Sequence, residues 1–241
     1  MSEFIIKDDW LTEQIKKSVY ELKLNKLNNI QFCREWENFL YKQNNPLLVY
    51  AKINTTDICS WLQLEKANFN LIDTNVKFEL DNKTKHKFNF NEIEDINICF
   101  SNSKNQKIIG NIAKNNFIYS RFHLDPEIPS KTANQIKKNW VKNYFLGSRG
   151  DKMILCLIKN NPVAFLQLII KESVVFIDLI GVDKKVQGKN IASAMIKFAI
   201  KNIKCKYIKV GTQIGNLPSI RLYQKMGFIF SGSDYVFHYH K

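Results

Sequence analysis

The run Val174-Val175-Phe176-Ile177-Asp178-Leu179-Ile180-Gly181-Val182 constrains the fold more than any other stretch of this chain. Its β-branched residues and single charge specify a strand buried in a sheet. The next element is a helix and not a hairpin partner. Ile191 to Ile203 repeats its apolar residues at helical spacing, through Ile191, Met195, Phe198 and Ala199. Tyr207 to Thr212 then reads as a strand and Leu217 to Lys225 as a helix, with Phe228 to His240 as two short strands. Upstream, Asp151 to Lys159 and Val163 to Ile170 read as a strand pair joined at Asn160-Asn161-Pro162. Strands alternating with helices predict a mixed α/β sheet with crossover helices.

The rest of the chain extends this pattern. The first 45 residues are polar and helix-compatible, with apolar positions at Ile15, Val19, Leu22, Leu24 and Leu27. Leu47 to Ile53 reads as a strand, and Thr56-Asp57 opens a helix through Glu65-Lys66. Phe69 to Leu80 reads as a second strand. The turn cluster Asp81-Asn82-Lys83-Thr84 sets the expected boundary between a smaller α/β lobe, residues 1–83, and a main domain, residues 84–241. Beyond it come a strand near Phe88 to Phe100, a helix from Lys104 to Lys114 and a helix from Thr132 to Leu146. Between those helices Ser120 to Pro129 reads as irregular, because its two prolines oppose a regular helix.

Two segments carry the chemistry. The first, Val182-Asp183-Lys184-Lys185-Val186-Gln187-Gly188-Lys189-Asn190-Ile191-Ala192, joins the buried strand to a helix. A loop opening onto a helix N-terminus offers unpaired backbone N–H groups and the positive end of the dipole, which suits a pyrophosphate. The second runs Gly211-Thr212-Gln213-Ile214-Gly215-Asn216-Leu217-Pro218-Ser219-Ile220-Arg221-Leu222-Tyr223 and on to Gly227-Phe228. Asn216 suits a helix N-cap, Pro218 the first turn and Gly227 the helix end. Tyr223 lies seven residues after Asn216, nearly two turns on, so both can look along one side of the helix.

Together these segments resemble the GNAT superfamily of N-acyltransferases over roughly residues 86 to 241. In the first segment Gln187, Asn190 and Ala192 stand at the anchor positions, and Asn190 replaces the usual central glycine. Asparagine tolerates positive φ better than most residues. In the second, Asn216, Ser219, Tyr223 and Gly227-Phe228 match. The Thr212-Gln213-Ile214-Gly215-Asn216 stretch, with Ser120-Arg121-Phe122 upstream, is similar to the dTDP-fucosamine acetyltransferases and related sugar-amine acetyltransferases.

The resemblance implies a mostly antiparallel GNAT-type sheet flanked by helices and an acyl-CoA-dependent N-acyltransferase. Acetyl-CoA would contact Ile180, Val182, Gln187, Gly188, Lys189, Asn190, Ile191, Ala192, Asn216 and Ser219. Tyr223 would be the general acid that protonates the leaving thiolate. Arg121, Phe122, Asp178, Thr212 and Gln213 would contact a nucleotide-linked amino-deoxysugar used in surface polysaccharide assembly. It also implies a homodimer. Two other readings stay open: acetylation of a protein, peptide or other small amine, and a GNAT-like fold that binds CoA without catalysis.

The remaining composition narrows the partners. A net charge of +14 suits polyanionic ligands such as coenzyme A and nucleotide-sugars. The lysines are scattered rather than blocked, which argues against nucleic acid. No stretch approaches the roughly 18 apolar residues of a membrane span. The N-terminus lacks signal-peptide features, so a cytoplasmic location is expected. The five cysteines, at 33, 59, 99, 156 and 205, form no CxxC pair and are expected to be reduced and mostly buried. His238 and His240 alternate near the end without a Cys or Asp at matching spacing, so no metal site is expected. His123 reads as an exposed loop histidine.

Overall fold

The computed structural model describes residues 4–24, 29–83 and 95–241. In chain order the elements are β1 (Ile5–Lys7), α1 (Asp9–Ile15), β2 (Ser18–Leu22), α2 (Asn29–Tyr41), β3 (Leu47–Asn54), α3 (Ile58–Lys66), β4 (Asn70–Asp81) and β5 (Asn97–Phe100). Then come α4 (Gln106–Asn116), α5 (Arg121–Leu124), α6 (Ser130–Phe145), β6 (Lys152–Ile158), β7 (Asn161–Lys171) and β8 (Val174–Val182). Last are α7 (Ile191–Asn202), β9 (Tyr207–Gln213), α8 (Leu217–Lys225) and β10 (Ile229–His240).

The ten strands among the described residues join one sheet in the order β1-β2-β3-β10-β4-β9-β8-β7-β6-β5. Only β2/β3 and β8/β9 pair in parallel, so the sheet is mixed and mostly antiparallel. Helices cover both faces. Phe32 and Trp36 of α2, Leu64 of α3, and Met195, Ile196 and Tyr223 of α7 and α8 pack on one face. Leu11, Phe122, Ile136, Ile109 and Val141, from α1, α5, α6 and α4, pack on the other.

The chain repeats one connection. β2-α2-β3-α3-β4 and β8-α7-β9-α8-β10 each run strand, helix, parallel neighbour, helix, and a third strand in the same direction, separated from the second by one strand of the other set. The third strand of each set pairs with the second strand of the other, β4 with β9 and β10 with β3. β4 and β10 pair with each other at the centre. The expected boundary after residue 83 therefore marks no break in the sheet, because β4 is an inner strand flanked by β9 and β10.

Other expectations need correction. The first 45 residues hold two strands as well as helices, and Val19 and Leu22 are buried strand residues of β2. Phe228 to His240 is one long strand, not two. Its bulges lie between Phe230 and Gly232 and between Val236 and Phe237. Gly232, at φ 148°, lets the backbone bend there without ending the pairing. Residues 121–124 of the proline-flanked segment form a helical turn that ends before Pro126. Of the expected strand near Phe88 to Phe100 the structure has Asn97–Phe100, and residues 84–94 lie outside the described residues. The cysteines are free, but only Cys156 is buried, and Cys33 and Cys59 are exposed.

Candidate active site

Parallel pairing between β8 and β9 stops at Ile177 with Val210. Beyond that point the strands part. The cause sits in β8 itself. Against β7, Gln167 faces Leu179 while Leu168 faces Ile177, so Asp178 is the extra residue of a β-bulge. A bulge bends its strand and raises the local twist. From there on β9 no longer pairs with that edge of β8, and strand N–H and C=O groups released from a ladder are strong ligands for a substrate. Gly181 is held to glycine by packing, since a Cβ there would stand 2.6 Å from the Phe165 ring.

A cavity of about 670 Å³ opens at this gap. Its walls are Ile180, Gly181 and Val182 of β8, the loop with Gln187, Gly188 and Asn190, and Ile191 and Ala192 at the start of α7. β9 adds Gly211, Thr212 and Gln213, and the start of α8 adds Asn216, Ser219 and Tyr223. Gly188 has φ 80° and Asn190 has φ 57°, ψ 14°, so the asparagine occupies the left-handed conformation directly before α7. The Gln187 amide donates to the Val182 carbonyl at 3.0 Å and ties the loop back to β8. Lys189 alone of the expected cofactor residues does not line the cavity. Its side chain is an exposed neighbour of the loop.

Asn216 is first a cap. Its Oδ1 accepts from the Ser219 amide at 3.3 Å and its Nδ2 donates to Thr212 Oγ1 at 3.1 Å. Thr212, expected on the sugar, is buried in this cap network and lines only the larger cavity. Tyr223 is 2% exposed, against Phe78 and Phe228. Burial pushes its phenol well above the ordinary tyrosine range, so it is protonated at any working pH.

A second cavity, of about 390 Å³, lies against the α5/α6 face of the sheet. Ser120, Lys137, Ile177, Asp178, Gly211 and Gln213 line both, so the two cavities meet where β8 and β9 part. Lys52, Asp73, Asn75, Arg121, Phe122, Trp140, Arg149 and Lys171 are among those that line the second alone. Its charge is mostly positive. Lys137 is buried, with its ammonium 4.8 Å from the Trp140 ring and near those of Phe117 and Phe122. Burial and the nearby Arg121 push its pKa down to about 8. Neither Lys137 nor Arg121 has an ion-pair partner among the described residues.

Arg121 is held on three sides. Its guanidinium stacks 3.9 Å from the Tyr50 ring centre and 4.6 Å from that of Phe122. Its Nη1 lies 3.2 Å from His238 Nε2. His238 is fully buried, and burial pushes its pKa down to about 4. A neutral ring then donates from Nδ1 to Asp125 and accepts from Arg121 at Nε2. Asp125 also accepts from His240 Nε2 at 2.8 Å. These three side chains put their ligand atoms within 4.8 Å of one another. Direct contacts to Asp125 and the adjoining guanidinium make the cluster a hydrogen-bonded support for Arg121. The spacing of His238 and His240 carries no hint of it, because Asp125 arrives from 113 residues away.

Asp178 does not act as a free carboxylate. It accepts from Arg149 Nε at 2.9 Å and from its Nη2, from Trp140 Nε1 at 2.9 Å and from Gln167 Nε2 at 2.9 Å. With its lone pairs so occupied it anchors the bulge and is no base. His123 is half-buried rather than exposed, and it bridges Ser120 Oγ at 2.7 Å and Asn134 Oδ1 at 3.0 Å.

Residues 116–228, just under half of the chain, match the model of the acetyltransferase (GNAT) family. Among curated proteins it is similar to the spore coat polysaccharide biosynthesis protein SpsD of Bacillus subtilis, at 30% identity over 130 residues. That match covers 53% of this chain and 45% of SpsD. It is also similar to the spermine/spermidine N(1)-acetyltransferase of Bacillus subtilis, at 36% identity over 66 residues, 26% of this chain and 43% of the relative. The chain thus spans less than half the length of these curated relatives. Among solved structures, a GCN5-related N-acetyltransferase from Sphaerobacter thermophilus superposes with a TM-score of 0.58 at 12% identity. It covers 88% of this chain and 66% of that one, and speaks for the fold alone. No helix among the described residues is long and apolar enough to cross a membrane.

Proposed function

We propose that this protein is a cytoplasmic N-acetyltransferase that moves an acetyl group from acetyl-CoA to the amine of an anionic acceptor. The acceptor class we favour is a nucleotide-linked amino-deoxysugar, used in surface polysaccharide assembly. One observation carries the reading. A cavity beside a loop and helix start suited to pyrophosphate meets, at the β8/β9 gap, a second cavity whose wall includes Arg121 and Lys137, two buried cations with no ion-pair partner among the described residues. Uncompensated buried cations are costly, and an anionic ligand offsets that cost.

Acetyl-CoA enters the larger cavity with its pyrophosphate on the Gly188 to Ala192 turn and its thioester at the parted strands. The free N–H groups of β8 face the carbonyl where negative charge develops. The amine attacks from the smaller cavity, and Tyr223 protonates the departing thiolate. The resemblance to SpsD supports a polysaccharide precursor as acceptor. A polyamine, the acceptor named in the other relative, would carry its positive charges toward Arg121, Lys137 and Lys52. Like charges held this close disfavour binding.

Acetyl-CoA binding is tested by thermal denaturation. At ligand concentrations near 100 times Kd, native-state stabilisation of about 2.7 kcal/mol is expected, read as a rise in Tm. An unchanged Tm at millimolar acetyl-CoA would overturn the proposal.

A further inference from the structure

We propose that Asp73 is the carboxylate that receives the acceptor's ammonium group and takes its proton before attack. This rests on the acetyltransferase reading above and adds to it a catalytic residue from the N-terminal half of the chain.

Asp73 lies on β4, in one row with Val236 of β10 and Lys52 of β3. That row lies on the face of the smaller cavity, and Asp73 lines it. The carboxyl-bearing residue is 7% exposed. Asp178, the other acid there, is saturated by four donors, whereas Asp73 has no ion pair among the described residues. Burial pushes its pKa up to about 6, against a backbone hydrogen bond from Thr74. A group so placed is poised to exchange a proton near neutral pH. The other charged groups facing the cavity are Lys52, Arg121, Lys137, Arg149, Lys171 and Asp178. An acceptor that carries both an amine and an anionic group matches a cavity that holds both this carboxylate and several cations.

The ammonium gives one proton to the Asp73 carboxylate, which passes it to solvent. The freed lone pair attacks the thioester carbon, forming C–N and moving the carbonyl π electrons to oxygen. Collapse breaks C–S, and the thiolate takes the Tyr223 phenolic proton. The second nitrogen proton restores the phenol, leaving amide, free CoA thiol and one released proton.

The test is the pH dependence of kcat/KM for wild type and Asp73→Asn, with dTDP-4-amino-4,6-dideoxygalactose as acceptor and thiol release as the signal. In wild type, kcat/KM rises with pH through about 6 as Asp73 ionises. It falls again once the acceptor amine loses its proton. Asp73→Asn is expected to lower kcat/KM at pH 7 by roughly 10²-fold. Its residual activity should climb only through the amine's own pKa, because it must take the neutral amine. Binding of acetyl-CoA and of dTDP, which has no amine, stays at the wild-type level. Asp73→Glu keeps the acid limb at reduced rate. A wild-type rate or a retained limb near pH 6 in Asp73→Asn overturns the proposal, as does an Asp73→Glu profile that matches Asp73→Asn. Absence of wild-type turnover with any amine would instead overturn the acetyltransferase reading and this proposal with it.

Discussion

Replacement of Tyr223 by phenylalanine lowers kcat by about 10²-fold or more and leaves acetyl-CoA affinity nearly unchanged. The expectation rests on what the hydroxyl does and what the ring does. The ring packs between Phe78 and Phe228 in the core that carries α8, and phenylalanine keeps that packing. The substitution therefore removes a proton donor and little else. Burial holds the phenol in its neutral form, so it keeps a proton to donate to sulfur as negative charge builds there and the C–S bond breaks. Steady-state kinetics with acetyl-CoA varied, together with equilibrium binding of acetyl-CoA, separate the two effects. A fully active variant would remove Tyr223 from the mechanism.

Arg121→Gln has the second large effect, on the acceptor side. We expect kcat/KM for dTDP-4-amino-4,6-dideoxygalactose to fall roughly 10²-fold, about the loss for one partner of a buried charge pair. The loss should appear mainly in the acceptor KM, with acetyl-CoA affinity unchanged. Arg121 is held in place by Tyr50, Phe122 and the His238–Asp125 pair. A rigid guanidinium gives up little freedom on binding phosphate, and its planar fork fits two oxygens. Initial-rate measurements over a range of acceptor concentrations decide the matter. An unchanged acceptor KM would show that Arg121 serves only the packing of α5.

Much of the larger cavity is legible in the sequence because its parts are local. The Val182 to Ala192 loop and the Thr212 to Tyr223 stretch each form within one strand-to-helix connection. Asn190 is instructive. It stands where a glycine is usual, and it adopts the left-handed conformation that asparagine tolerates. The smaller cavity is less legible because its parts are remote. Asp73 and Lys52 reach it from the N-terminal half only because β4 and β10 exchange places between the two strand sets. That exchange depends on long-range pairing, which periodicity does not encode. Asp178 misleads for a related reason. A lone acid in a buried strand reads as a contact to the acceptor until Arg149, Trp140 and Gln167 are seen to occupy it. Phe228 to His240 reads as two short strands, yet the strand bends at Gly232 and goes on, because both edges find partners in β3 and β4.

The central claim is acetyl transfer from acetyl-CoA to an amine on an anionic acceptor. Its most direct measurement is CoA thiol release by the purified protein with dTDP-4-amino-4,6-dideoxygalactose and, in parallel, spermine at equal concentration. The expected result is acetyl-CoA-dependent release with the nucleotide-linked amine and only background release with spermine. Preference for spermine, or background release with both, would contradict the account.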